Sequence, residues 1–431
     1  MTPAGRVAAA IEVLADLTER KRPASEGLKD WGLAHRFAGA GDRGAIGNLV
    51  FDCLRRRASS ASAMGDETPR SLVLRTLVTA WDMTPDAVAA LCDGSRFAPS
   101  PLSAAEREGV ARVLSEDAPT SERGDYPEWL DGAFTEVFGT RAVEEGAALA
   151  ARAPVDLRVN TLKANRDKVL KALARLEAAP TPYAPFGVRI APRKGAQRSP
   201  HVEAEAGHGK GWFEVQDEGS QLAALMTGAG PRQQVIDLCA GAGGKTLALA
   251  SQMQNTGQLY AYDADRFRLR PIFERLKRAG VRNIQVLQAG TREALVPLQD
   301  KMDRVVIDAP CTGSGVWRRR PDAKWRLTPT MLDRRVREQE DVLEAGAALV
   351  KPGGELAYIT CSVLPQENGE QVAAFLRRHS DFALRPWRDA WAKAIPAAAP
   401  ASADGSEETL LMTPRSHGTD GFFVALLERC G

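Results

Sequence analysis

Apolar residues recur at helical spacing from the start of the chain: Val7, Ile11, Leu14 and Leu17 share one face of a 3.6-residue period. The pattern continues through residues 45–54 and 72–81, and Pro69, Pro99 and Pro101 stand where helices would be separated. This spacing predicts a helical domain over residues 1–140. Beyond a polar stretch at 118–125 the rhythm changes. Residues 155–160 read as a strand and 166–177 as a helix. Residues 180–210, with prolines at 180, 182, 185, 192 and 200, read as loop and hairpin. Residues 141–230 are therefore expected to form a small α+β subdomain leading into a third domain.

From residue 234 onward, short β-branched runs alternate with helical stretches, the pattern of a parallel sheet covered by helices on both faces. Strands are expected at 234–239, 258–263, 284–288, 304–308 and 355–360, with helices at 246–253, 266–279, 329–350 and 367–379. Residues 409–413 and 422–427 read as a pair of strands that add an antiparallel edge, giving a mostly parallel seven-stranded sheet. The expected fold class is α/β, Rossmann-like over residues 231–431, preceded by the α+β subdomain and the all-helical domain.

Composition narrows the function classes. A chain of 431 residues is too long for one ordinary domain. Its 44% hydrophobic and 26% charged residues sit at the averages for soluble proteins, against a membrane span or wholesale disorder. The net charge of +2 leaves any nucleic-acid contact to local basic runs. The clearest are Arg55-Arg56-Arg57, Arg318-Arg319-Arg320 and Arg334-Arg335, each of which also reads as an ordinary solvated face. Glu12 and Asp16 interrupt the first apolar stretch, so no export signal is read there. The six cysteines (53, 92, 239, 311, 361 and 430) form no CxxC pair, which fits a reduced, cytoplasmic setting; no metal is expected.

Two places carry chemistry. The first is Asp237-Leu238-Cys239-Ala240-Gly241-Ala242-Gly243-Gly244-Lys245-Thr246, a glycine-rich turn from a strand into a helix, where backbone N–H groups meet a close-lying ligand. A phosphate-binding P-loop is excluded because its first glycine falls on Cys239. A dinucleotide turn is excluded because Thr246 stands where its third glycine belongs. What remains is a nucleoside site, with Asp263 at the end of the next strand placed to accept hydrogen bonds from ribose hydroxyls. S-adenosylmethionine fits best; a plain tight turn that serves only strand-to-helix packing is the alternative.

The second is a pair of cysteines. Cys311, in Asp308-Ala309-Pro310-Cys311, and Cys361, in Thr360-Cys361-Ser362, both follow predicted strands and should emerge at the carboxyl edge of the sheet. A lone cysteine is ordinarily a small buried hydrophobe, but two at adjoining strand ends, one beside a carboxylate, favour chemistry. Carbon 5 of cytosine is not nucleophilic by itself. A thiolate adding at carbon 6 makes it so, after which it can take a methyl group.

These residues resemble the Sun (Fmu) family of RNA cytosine-5 methyltransferases, above all its bacterial members acting on small-subunit ribosomal RNA. The resemblance rests on the 237–246 loop, Asp308 to Cys311, Arg318 to Trp325, Thr360 to Asn368 and Asp420-Gly421-Phe422-Phe423. Arg158-Val159-Asn160-Thr161 and residues 215–220 look like the family's lead-in, and residues 41–57 resemble the RNA-binding domain of the antitermination factor NusB. The resemblance implies Cys361 as nucleophile, Cys311 assisting release, Asp308 contacting cofactor or cytosine, and Lys245 ordering the site. The cofactor would lie against Cys239, Ala240, Gly241, Ala242, Gly243, Gly244, Lys245, Asp263, Gly290 and Asp308. Alanine at 242 replaces the family's usual proline, and Gly290 replaces an acidic residue near adenine, a role that Asp265 could take over. The implied partner is RNA, the expected oligomeric state a monomer. A catalytically inactive RNA-binding assembly factor is the rival reading, and an NAD-linked oxidoreductase has only fold-level analogy behind it.

Overall fold

The computed structural model describes residues 1–431. The chain forms two compact units: Met1–Ala153 with Pro192–Pro200 and Trp317–Leu327, and Pro154–Ala191 with His201–Val316 and Thr328–Gly431. This differs from three consecutive domains at 1–140, 141–230 and 231–431. Hydrogen bonding by two excursions of the chain accounts for the part of that difference at 192–200 and 317–327. Asn48 Nδ2 donates to the carbonyls of Gly195 and Gln197 at 3.1 and 2.9 Å, and Arg152 donates to those of Arg193 and Gly195 at 2.7 and 2.8 Å. Such bonds tie 192–200 to the helical unit, and local periodicity carries no trace of them.

In the helical unit, Pro3–Arg20, Ala40–Arg55 and Pro69–Thr79 pack around Val13, Ile46, Leu49, Val73 and Leu77, all essentially excluded from solvent. Pro69 opens its helix as the first residue after the cap Thr68, whose hydroxyl accepts from Ser71 N, so this proline is a start signal. The segment 317–327 is built into the same unit. Lys324 Nζ donates to the carbonyls of Arg55 (3.0 Å) and Asp125, and Trp325 Nε1 donates to Leu54 O. Burial pushes the Lys324 ammonium down to about 7.

The arginine runs are accordingly not the free basic faces their spacing allows. Arg55 donates to Arg318 O at 2.9 Å and to Asp52 Oδ1 at 2.9 Å, and Arg57 pairs with Glu67 and lies 5.2 Å from the centre of the Trp325 ring. Arg318 is buried, so its side chain does not form a solvated face or reach out to phosphates; Arg320 is exposed. Arg334 and Arg335 both pair with Glu338 on one helix.

The other unit holds two sheets. The smaller has β1 (Val155–Val159), β2 (Ala179–Pro180), β3 (Gly187–Ile190) and β4 (Phe213–Val215) in the order β2-β3-β1-β4, all antiparallel. The larger has eight strands: β5 (Gln234–Asp237), β6 (Gln258–Ala261), β7 (Ile284–Val286), β8 (Met302–Asp308), β9 (Val350–Thr360), β10 (Phe382–Arg385), β11 (Leu410–Met412) and β12 (Phe422–Arg429). Their order is β10-β12-β9-β8-β5-β6-β7, with β11 on β12. From β7 to β9 every pairing is parallel; the remainder are antiparallel.

The seven expected strands are all present, and β10 is the eighth. Because β10 covers it, β12 is an interior strand between β9 and β10, consistent with the unbroken burial of Phe422 through Leu427. Four residues without alternation gave β10 no signal in the sequence. The helix expected at 266–279 is two pieces, Arg266–Leu269 and Ile272–Ala279, because Pro271 lacks an N–H to continue the first. Strand order reverses at β5, which has β6 on one side and β8 on the other. In open α/β sheets this switch point is where ligands bind, beyond the carboxyl ends of the strands. Asp237, Asp308 and Thr360 each end a strand at that edge.

Candidate active site

The loop after β5 is shaped by two left-handed glycines, Gly241 (φ +49°) and Gly243 (φ +87°), before the helix Gly244–Gln252. A Cβ on Gly243 would stand 2.5 Å from Ile272 Cγ1, so the position excludes side chains by space as well as by backbone angle. Gly241 N donates to Asp263 Oδ2 and Asp265 N to Asp263 Oδ1, both at 2.8 Å, which fixes the Asp263 carboxylate beside the loop. Asp237 is fully buried. Its Oδ2 accepts from Thr246 Oγ1 at 2.6 Å and its Oδ1 has no partner. Burial raises its carboxyl to about 7 against the pull of the Thr246 bond. Burial likewise raises the Cys239 thiol, which keeps it protonated and unreactive. A polar atom left open under a glycine cradle, with a fixed carboxylate beside it, suits a nucleoside-bearing cofactor.

Gly290 occupies an exposed turn at φ +79°, a conformation that the family's acidic residue would adopt with strain. Asp265 spends one carboxylate oxygen on capping the helix Arg266–Leu269, accepting from Phe267 N at 2.7 Å.

At the end of β8, Asp308 Oδ2 lies 2.8 Å from Lys245 Nζ, and that ammonium is 5.0 Å from the centre of the Phe422 ring. The lysine is buried while the carboxylate is one-third exposed, so the pair offers its acidic end to the cleft. Next along the chain, Cys311 Sγ is 3.3 Å from Cys361 Sγ. The bond to Cys361, then burial, push the Cys311 thiol well up, and either sulfur can be the donor in this contact.

The turns bearing the two cysteines are held by residues to which sequence reasoning gave no role. Glu367 is fully buried; it accepts from Thr312 N (2.8 Å), Thr312 Oγ1 and Gln339 Nε2 (3.0 Å), and burial raises its carboxyl. Gln339 Nε2 also donates to Pro310 O at 2.9 Å, gripping the residue before Cys311. Ser314 Oγ and Ser362 Oγ are 2.9 Å apart, Gly315 N donates to Cys361 O at 3.0 Å, and Asn368 Nδ2 donates to Ser362 O at 3.0 Å. Glu367 and Asn368 lie in the Pro365-Gln366-Glu367-Asn368 run, whose two closely spaced polar residues after a strand end were the available signal. Gln339, in mid-helix, carried none.

The site residues named from the sequence thus fall into one edge of one sheet: Lys245, Asp308, Cys311 and Cys361 at the β5, β8 and β9 ends, and the 239–244 loop with Asp263 at the β5 and β6 ends. A family model described as 16S rRNA methyltransferase RsmB/F matches residues 225–428, and one for the ferredoxin-like domain of the same methyltransferases matches 126–194. A probable ribosomal RNA small subunit methyltransferase B from Synechocystis is 33% identical over 75% of this chain and 71% of its own length. This chain belongs to the RsmB/F family. A second relative, ribosomal RNA small subunit methyltransferase B of Salmonella typhi, is 34% identical over 63% of the chain, which spans 62% of that relative. Among solved structures, a methyltransferase homolog from Pyrococcus horikoshii is 28% identical, with a TM-score of 0.60 over 73% of this chain and all of that one. RsmB/F membership bears out the resemblance read from the motifs, and with it the methyltransferase fold and S-adenosylmethionine as cofactor. No helix is long and apolar enough to cross a membrane.

Proposed function

We propose that this protein methylates carbon 5 of a cytosine in RNA, with 16S ribosomal RNA as substrate, through a covalent adduct to Cys361. The observation that carries this reading is the 3.3 Å approach of Cys311 and Cys361 beside the Lys245–Asp308 pair. One thiol alone would serve many chemistries. Two in contact match a reaction in which a thiolate must first add to the base and later leave it.

S-adenosylmethionine supplies an electrophilic methyl group on a sulfonium centre. The 239–244 backbone, Lys245, Asp263, Asp308 and the Gly290 turn are the residues that would hold it. Asp263, its carboxylate fixed by two backbone N–H groups, is suited to ribose hydroxyls. Cys361, as its thiolate, adds to carbon 6 of the cytosine, so carbon 5 becomes the nucleophile that would take the methyl group from the sulfonium, whose sulfur would keep the bond's electron pair as a neutral thioether. Transfer of the carbon-5 proton to solvent water then breaks the sulfur–carbon bond and returns the electron pair to Cys361, with Cys311 assisting release. Asp308, one-third exposed and paired with Lys245, would hold the ring nitrogen edge. The helical unit and the four-stranded sheet would grip the folded RNA, with the target cytosine turned out of its stack, in a protein that acts as a cytoplasmic monomer.

The deciding experiment incubates the protein with small-subunit ribosomal RNA and labelled S-adenosylmethionine, digests the product to nucleosides and separates them. Label in 5-methylcytidine is the expected result. Label in another nucleoside would remove the cytosine assignment. No label and no cofactor binding would leave the RNA-binding assembly factor in its place.

A further inference from the structure

Asn160 is buried, and its Nδ2 donates to the carbonyls of Gly211 (2.9 Å) and Ala279 (2.8 Å). One side chain thereby locks the turn before β4 to the end of the helix Ile272–Ala279. The Arg158-Val159-Asn160-Thr161 run, to which the proposed reaction gives no role, supplies that lock. Arg275 and Arg278 of the same helix both pair with Glu214 of β4, at 3.0 and 2.6 Å. One buried carboxylate thus faces two guanidiniums, which leaves one positive charge over.

Across this joint runs a line of cations. Lys168 Nζ and Lys210 Nζ stand 4.0 and 5.0 Å from the centre of the Trp212 ring, whose face attracts both ammonium groups and holds them in place. Lys163 Nζ donates to Arg278 O at 2.6 Å and to Lys210 O at 3.5 Å; an ammonium has three donors, so one is left over. Lys277 and Arg282 lie at and just beyond the helix end. On the other side Arg275 Nη1 donates to Ala242 O at 2.9 Å, which brings the line to the glycine-rich loop of the candidate active site. Lys163, Lys168, Lys210, Lys277 and Arg282 are exposed, and none forms an ion pair with a carboxylate. The helices that carry them, Arg166–Ala172 and Ile272–Ala279, expose the acids Asp167 and Glu274, so cations stay in excess. In a chain whose net charge is only +2, that excess is a local feature.

Five unpaired cations strung along one locked surface complement a run of separate negative charges better than a single anion, which would engage only one or two of them. The sugar–phosphate backbone of RNA is such a run. We propose that the surface from Trp212 through Lys163 to Lys277 and Arg282 carries the phosphate backbone of the RNA that flanks the target nucleotide. The inference rests on RNA as substrate and adds to it the contacts that position the strand at the glycine-rich loop without reading its bases.

The test follows binding of a fluorescent RNA hairpin with a single-stranded arm to the full chain by anisotropy, over a salt series and without cofactor. Wild type is compared with a triple variant, Lys168→Gln, Lys210→Gln and Lys277→Gln. A control triple, Lys301→Gln, Arg377→Gln and Lys393→Gln, removes as much exposed charge elsewhere on the same unit. All six side chains are exposed, so both triples are expected to keep the wild-type unfolding midpoint. Each phosphate contact contributes about 0.7–0.9 to the slope of log affinity against log salt. The first triple should therefore lose about 2 to 3 from that slope and bind about tenfold more weakly in low salt, while the control keeps both. If the first triple unfolds, the single Lys168→Gln and Lys277→Gln variants carry the same comparison, each with a slope reduced by about 0.7–0.9. Equal slopes in all the proteins, or equal losses in the two triples, overturn the proposal. An unchanged RNA slope with loss of polyglutamate binding also overturns it and gives the surface to an acidic protein. A chain that transfers no methyl group yet shows the slope change loses the proposed reaction and keeps this surface. One that labels cytosine with equal slopes loses this surface alone.

Discussion

Cys311 Sγ and Cys361 Sγ are in contact at 3.3 Å although fifty residues separate them, because β8 and β9 are adjacent parallel strands that end together at the cleft. The proposed roles make opposite predictions for the two thiols. Cys361→Ala is expected to abolish both methyl transfer and any RNA adduct that survives denaturation. Cys311→Ala is expected to accumulate that adduct, seen as a slowly migrating protein–RNA band. Adduct formation by Cys361→Ala would exchange the assignments.

Lys245 Nζ lies 2.8 Å from Asp308 Oδ2 in a largely buried setting, where removing one partner leaves the other uncompensated. Lys245→Met should lower the single-turnover rate of methyl transfer by about 10²-fold or more, in the range of a lost acid–base or electrostatic contribution. An unchanged rate with a raised KM would reduce the lysine to a binding role.

Asp237 offers a pH test. Its carboxyl is raised from 3.8 to about 7 by burial, so between these values the folded protein retains a proton that the unfolded chain has released. Its contribution to stability is therefore fully present below about pH 4 and is lost as pH rises through 7. Asp237→Asn keeps an acceptor for Thr246 and carries no titrating proton. Urea midpoints measured from pH 4 to 8 should show the variant gaining on wild type as pH rises. Parallel curves would mean that Asp237 does not titrate in this window.

Gly421 and Gly315 meet backbone to backbone: Gly421 N donates to Gly315 O at 2.8 Å, and a Cβ on Gly421 would lie 2.5 Å from Gly315 Cα. Gly315 N in turn holds Cys361 O. Gly421→Ala is expected to destabilise the fold by about 1–3 kcal/mol through overpacking and to reduce methyl transfer by shifting the cysteine turn. Retention of full activity and stability would show that this contact can spread without consequence.

The loop at 237–246 and the Asp-Ala-Pro-Cys and Thr-Cys-Ser turns were legible because each couples a strand pattern to a local backbone demand. Glycines mark left-handed positions, and polar residues directly after an apolar run mark a strand's carboxyl end. Gln339 was invisible for the converse reason: a polar residue within a long helix looks solvated until the helix is docked, and only then does its amide reach Pro310 O and Glu367. Arg318 misled in the same way, since a run of three arginines reads as surface while its first member is buried in the helical unit.

The sequence by itself determined the alternation of strands and helices, the left-handed turn of the glycine-rich loop at 237–246 and the presence of a thiol beyond each of two strand ends. These depend on periods and backbone angles encoded within a few residues. Tertiary structure alone decided that the two thiols touch, that 192–200 and 317–327 join the helical unit, and that β10 covers β12. Each of these joins residues far apart in the chain. Strand order and close packing select such pairs, and no local pattern records them.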